Sequence, residues 1–231
     1  QPVHIIFLVT ERGHEAATQP RVLIVVGRDT RATVVETYAS VDDSIQTFTN
    51  SVTEVVVGPG SALNRYTMQL QNEATYGVAT THVEVQENAN FTSVYTDIGG
   101  ALIRNNLSVD MVGEGGHCTL NGSYIVSRSQ HIDNQVIIDH KVGHTGAREL
   151  YKGILDGKSR SVFHGSIIVR EGAAKVDALQ VDKNLLLSNE AEADTKPAFW
   201  IYCDDVRCGH GAACGAIDEE AVFYLRSRGL D

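Results

Sequence analysis

A parallel β-helix is the all-β fold this sequence predicts, and three observations lead to it. Short β-branched runs punctuated by Gly, Asn and Asp dominate the chain. Helical periodicity between those runs is almost absent. Several runs share one layout, and the first three of these recur at spacings of about 30 residues, a period at which repeat architectures stack one supersecondary unit on the next.

Taken in order, residues 22–26, 33–38, 52–57, 82–85, 107–112, 135–138 and 166–169 read as strands, because β-branched side chains pack well on a pleated surface. The shared layout is an apolar stretch, a polar or glycine turn and then a small residue. Ile24-Val25-Val26-Gly27 leads to Ala32, Val55-Val56-Val57-Gly58 to Ala62, Val83-Glu84-Val85 to Ala89, and Ile167-Ile168-Val169 to Ala173. A β-sandwich or jelly roll also carries many short strands at regular spacing. The hairpin dipeptides such folds favour are scarce, with Asn-Gly only at Asn121-Gly122 and Asp-Gly only at Asp156-Gly157.

The chain ends on a different pattern. Asp218 suits an N-cap, Glu219 and Glu220 fall in the first turn, and Ile217 and Val222 are spaced as a hydrophobic staple. Arg226 and Arg228 fall in the last turn before Gly229, which predicts a helix of about ten residues. Two roles fit it: an amphipathic cap over the open end of the solenoid, or the first helix of a partner-binding region.

With 42% hydrophobic content, 231 residues can bury a sizeable core, and one elongated domain is the expectation. Nineteen Lys and Arg against 29 Asp and Glu give a formal charge of -10, which disfavours nucleic acid and an anionic membrane surface as partners. No apolar run approaches the roughly 20 residues needed to span a bilayer, and the first ten residues lack the pattern of a signal peptide. A soluble intracellular protein is expected, and the missing initiator Met and the finish straight after a helical pattern suggest a piece of a longer chain. Cys118, Cys203, Cys208 and Cys214 are too few and too clustered for a disulfide framework, so reduced thiols are expected. Sequons at Asn90, Asn106 and Asn121 arise readily by chance in so Ser/Thr/Asn-rich a chain.

Residues 202–215 hold the densest chemistry: Cys203, Cys208, Cys214, Asp204, Asp205 and His210, among glycines. Thiolate and imidazole suit zinc, iron-sulfur clusters and other thiophilic metals. Cys208 and His210 stand two apart, so on a strand they share a face. Gly209 and Gly211 remove bulk around His210 and let a ligand or a second backbone approach. Cys203 is an odd number of residues from Cys208 and points the other way on a regular strand, whereas Cys214 keeps the parity but needs a turn to fold back. The plain alternative is that small thiols fill the core of a narrow solenoid, which suits Cys118 and Cys203 best and Cys208 least.

No paired CxxC units are present. His4, His14, His82, His117, His131, His140, His144 and His164 form no HExxH or HxH pair and read as turn or strand residues. Acid pairs such as Asp42-Asp43 and Asp204-Asp205 suit solvated turns. Gly113, Gly115 and Gly116 lack the Lys-Ser/Thr of a phosphate loop, and there is no GxSxG elbow or dinucleotide fingerprint. The enzyme alternative, a β-helical polysaccharide lyase or hydrolase, requires a cleft of clustered carboxylates. A homo-oligomeric structural solenoid is the other rival.

Six blocks occur in order: Val162-Phe-His-Gly-Ser-Ile-Ile-Val-Arg170, Asp177-Ala-Leu-Gln180, Asn184-Leu-Leu-Leu-Ser188, Glu192-Ala-Asp-Thr-Lys-Pro197, Asp204-Asp-Val-Arg-Cys-Gly-His-Gly211 and Phe223-Tyr-Leu-Arg-Ser-Arg-Gly229. Together they resemble the C-terminal signature of the SufB/SufD family of the SUF iron-sulfur cluster assembly system, and the SufD branch fits better than SufB. His4-Ile-Ile-Phe-Leu8 and Gly99-Gly-Ala-Leu-Ile-Arg-Asn105 extend the resemblance upstream.

The resemblance implies a right-handed parallel β-helix core over residues 1–217 and the start of a C-terminal helical region at 218–231. The rest of that region and an N-terminal helical region would lie outside this chain. It further implies a non-enzymatic scaffold in the cytoplasm or plastid stroma, paired with SufB through the β-helix and with the SufC ATPase through the helical region. A homodimer is the alternative pairing in isolation. By the same resemblance Cys208 and His210 meet a nascent iron-sulfur cluster at the SufB interface, transient and shared with SufB, with none expected in the isolated chain. Nothing carries over to Cys203 or Cys214.

Overall fold

The computed structural model describes residues 1–10, 17–41 and 46–230. His14 and the Asp42-Asp43 pair lie outside the described residues, as does the side chain of Glu219. One sheet holds, in spatial order, β1 (Val3–Val9), β4 (Arg31–Ser40), β6 (Ala62–Leu70), β8 (Asn90–Asp97), β10 (His117–Val126), β12 (Gly146–Leu155), β14 (Val176–Leu186) and β16 (Val206–Ala216). In the other, β2 (Ala17–Thr18) and β3 (Arg21–Val26) both pair with β5 (Thr47–Val57). That sheet continues through β7 (Thr75–Val85), β9 (Leu102–Met111), β11 (His131–His140), β13 (Arg160–Val169) and β15 (Glu192–Ile201).

Every pairing among the described residues is parallel, and each strand pairs with the next but one or beyond, never with its neighbour in the chain. A residue's partner lies between 26 positions on, as for Tyr76 with Leu102, and 32, as for Arg160 with Glu192. Two strands therefore make one coil, and the chain is a β-solenoid of about seven coils. The sandwich alternative fails because it needs antiparallel hairpins. Asn121-Gly122 lies inside β10 rather than at a turn.

Alternation along each strand puts every second side chain between the sheets. Leu63, Phe91, Cys118, Ala147 and Ala178 form one such inward row on successive rungs, all buried. Burying a Leu- or Phe-sized side chain contributes about 1.5–3 kcal/mol. Glycine recurs where a large side chain on the next strand crosses the interior. The Tyr151 ring occupies the space a Cβ of Gly122 would need, and the Tyr124 ring does the same at Gly153.

Six successive corners turn through a left-handed residue: Asp29, Gly60, Asn88, Gly115, His144 and Lys175. Each donates its N–H to a carbonyl of the next coil's corner, at Pro59, Glu87, Glu114, His144, Ala174 and Asp205 in turn. The left-handed conformation aims these donors along the solenoid axis. Gly115 thus serves a corner rather than a phosphate loop, and His144 is a corner residue.

Candidate functional site

β16 is rich in glycine and carries Cys208, His210, Ala212 and Cys214 on its inward face, in register with Ala178, Gln180, Asp182 and Asn184 of β14. The β14 residues are buried, whereas Cys208 is half-buried and His210, Ala212 and Cys214 are exposed. The difference comes from position alone. β16 and β15 are the last strands of their sheets, so among the described residues no further strand covers the inward face of this coil.

The geometry sorts the sequence candidates. Cys208 and His210 project together, about 6.6 Å apart along the strand at the usual rise. Burial pushes the Cys208 thiol up, the Ala178 backbone hydrogen bond pulls it down, and the Asp177 charge adds to the rise. The His210 ring packs on Phe199 of β15 across the coil, with ring centroids 4.5 Å apart. Gly211 has open space where a Cβ would stand, and Gly209 meets only the tip of Leu179. Their bareness thus serves approach from outside rather than packing within this chain.

Cys214 keeps the face of Cys208, as its parity predicts, and because β16 runs unbroken no turn folds it back; it lies about 20 Å further along, beyond reach of one metal ion. Its sulfur contacts Asn184 Nδ2 at 3.8 Å and the Ala193 carbonyl at 3.9 Å. Cys203 sits in the turn between β15 and β16, so strand parity does not apply, and it packs in part against the core. Cys118 is buried, and desolvation with the nearby Glu149 drives its thiol far above the ordinary range. Among the described residues no group of three or more His, Cys, Asp or Glu side chains is arranged to hold a metal ion. The pair at the open coil therefore supplies at most part of a ligand set.

Four other histidines have local side-chain partners, and His144 takes a corner. His4 meets Thr37 at 2.9 Å, His82 meets Ser108 at 2.9 Å and His164 meets Gln135 at 3.1 Å. His140 is fully buried against Thr145 at 2.7 Å, and desolvation lowers its pKa to about 4. Asp205 of the second acid pair meets Lys175 at 2.7 Å on an exposed turn.

α1 (Glu219–Ser227) begins as predicted, with Asp218 Oδ1 accepting from the backbone N–H of Glu220 at 2.9 Å, and it ends before left-handed Gly229. It is not a cap over the open coil. Phe223 is 76% exposed, Tyr224 and Leu225 are also exposed, and β16 beneath remains open. With Leu186, Leu187, Ile217 and Val222, Phe223 lines a groove where the helix leaves the solenoid.

Composition did not reveal the charged interior. Arg65 and Glu36 form a fully buried ion pair on adjacent rungs, and Arg65 Nη1 also donates to Tyr95 Oη at 3.1 Å. Desolvation raises Asp97 to about 7 and Glu149 to about 8, and raises Asp182 as well. These carboxyls lie between the sheets rather than along a surface cleft. The inward parity of Arg65, two residues after Leu63, was the available signal.

Comparison with known proteins adds an independent line. The model described as SUF system FeS cluster assembly, SufBD core domain, matches residues 7–231. The chain is 35% identical over 200 residues to the iron-sulfur cluster assembly protein SufD of Escherichia coli, covering 87% of this chain and 47% of that protein. It is 29% identical over 237 residues to an iron-sulfur cluster assembly SufBD family protein of Synechocystis, covering 100% and 52%. Identity to the chloroplastic protein ABCI7 of Arabidopsis thaliana is 29% over 238 residues, covering 100% and 50%. The chain spans about half the length of the curated relatives it matches. No helix among the described residues is long and apolar enough to cross a membrane.

Proposed function

This chain belongs to the SufBD core family of the SUF system, and on that premise we propose that it is the solenoid part of a SufD-type scaffold subunit. In this reading it performs no catalysis. Its terminal coil presents Cys208 and His210 to a partner solenoid of the SufB type, and the two chains together hold iron and sulfide as cargo while a cluster forms. The observation that carries the reading is that this half-buried thiol and exposed imidazole project together from the inward face of the last described coil, which no further strand covers. Two donors fall short of the four that a conventional cluster takes, so the remaining ligands come from across the interface. ATP hydrolysis belongs to a SufC-type ATPase, which engages the helical region that α1 begins and changes the interface so that buried donors become accessible. The named relatives support cytoplasm or plastid stroma as the compartment.

The test is purification of the full-length parent protein with SufB and SufC, followed by anaerobic iron and sulfide analysis with and without Cys208→Ala and His210→Ala. A ternary complex whose cluster content falls in the variants supports the proposal. Loss of complex formation in the wild-type protein overturns it. A homodimer through the open coil, with cluster yield indifferent to both substitutions, favours the structural solenoid instead.

A further inference from the structure

Between the sheets, in the half of the solenoid remote from Cys208, Tyr38, Ser51, Thr67, Ala79, Tyr95 and Asp97 border a small chamber. We propose that it is a built hydration site, in which bound water is anchored on Asp97.

The chamber originates in β7. Its inward residues here are Gly77 and Ala79, where β5 places Thr49 and Ser51 and β9 places Ile103 and Asn105. The Ile103 side chain fills the place a Cβ of Gly77 would need, but the single methyl of Ala79 leaves the interior unfilled opposite β6 and β8. About 20 Å³ is open to the centre of a water-sized molecule, above the roughly 10–15 Å³ that one water needs.

The lining selects the occupant. Asp97 is 2% exposed, and its Oδ2 accepts from Asn105 Nδ2 at 2.8 Å, while its buried Oδ1 takes no hydrogen bond from the protein. Leaving a buried acceptor unmade is costly, and an apolar occupant would leave it so. The hydroxyls of Ser51, Thr67 and Tyr95 border the same space, which meets the need of a buried water for two to four polar partners. A divalent cation lacks ligands here, because Asp97 is the one carboxylate among the described residues that line the space and nearby Glu36 is held by Arg65. Water donates to Asp97 Oδ1 and accepts from a hydroxyl, so it completes both sides.

A crystal structure of the full protein that resolves ordered solvent tests the site, together with a second crystal pressurised with xenon. One or two waters within hydrogen-bond distance of Asp97 Oδ1, and no xenon beside Ala79, are the expected result. Xenon entry, or a chamber without water, overturns the proposal, since apolar cavities stay dry and take up such gases. In solution, magnetisation transfer from water to the backbone N–H of Asp97 is expected in the wild type and in Asp97→Asn, which preserves size and an acceptor. It is expected to vanish in Ala79→Val, whose added methyls fill the space. Equal transfer in the folded Ala79→Val variant also overturns it.

Discussion

Gln180 and His210 are register partners on adjacent rungs of one sheet, facing the same way, yet Gln180 is 0% exposed and His210 is open to solvent. What separates them is one further strand. The amide is enclosed and hydrogen-bonded to Glu149 at 2.7 Å, whereas the imidazole rests on Phe199 alone among the ring contacts of its coil. The same inward position becomes core in one coil and open surface in the next.

That contrast makes the cysteines distinguishable by alkylation. Cys214 is exposed, Cys208 is half-buried with its thiol pKa raised, and Cys118 is enclosed. With iodoacetamide under native conditions, peptide mass spectrometry is expected to show Cys214 modified before Cys208 and Cys118 protected until unfolding. The Cys208 rate rises with pH beyond the range of an ordinary thiol, because the thiolate is the reactive form. Labelling of Cys118 in the folded protein would contradict the enclosed inward row.

Glu149 imposes a pH dependence on stability. Burial raises its pKa from 4.5 to about 8, against the lowering effect of the Gln180 hydrogen bond and with a further rise from Asp182. Between these values the folded state keeps a proton that the unfolded state has lost. The stability it contributes is fully present below pH 4.5 and is lost as pH rises through about 8. Glu149→Gln keeps an acceptor for Gln180 and cannot ionise. Its urea midpoint is expected to gain on the wild type as pH climbs through this window, and parallel profiles would refute the assignment.

The Arg65–Glu36 pair should fail when halved. Arg65→Met leaves an uncompensated buried carboxylate and is expected to cost about 3–5 kcal/mol, while adding Glu36→Leu recovers much of that loss. Urea unfolding of the two single variants and the double variant gives the coupling directly. Additive single effects would show that the two groups do not depend on each other.

Glycines of the two kinds should behave differently. Gly122→Ala drives a methyl into the Tyr151 ring and is expected to cost about 1–3 kcal/mol. Gly211→Ala, where a Cβ meets nothing, is expected to stay within about 0.5 kcal/mol of the wild type. The same denaturation series measures both. Equal losses would show that strand propensity, rather than the ring, dictates glycine at position 122.

The sequence carried the repeat and most strands because β-branched runs, polar or glycine turns and small residues recur coil by coil. Asp218, Gly229 and the shared face of Cys208 and His210 were equally legible, since caps and parity are local. Exposure of the last coil was not, because the alternation in β16 resembles that in β14 and only the count of rungs separates them. Nor was the partner of Arg65, which lies 29 residues away and is chosen by register. Cys203 misled because a parity argument presumes a strand, and the chain turns a corner there.

The corner ladder and the fixed spacing of strand partners also give the molecule a direction in time. Every strand from β4 onward pairs with one synthesised about one coil earlier, so each newly emerging coil finds its template already made. Of the described coils, the one bearing Cys208 and His210 is laid down last. A nascent chain therefore places Cys208 and His210 only after the coils that orient them are in place.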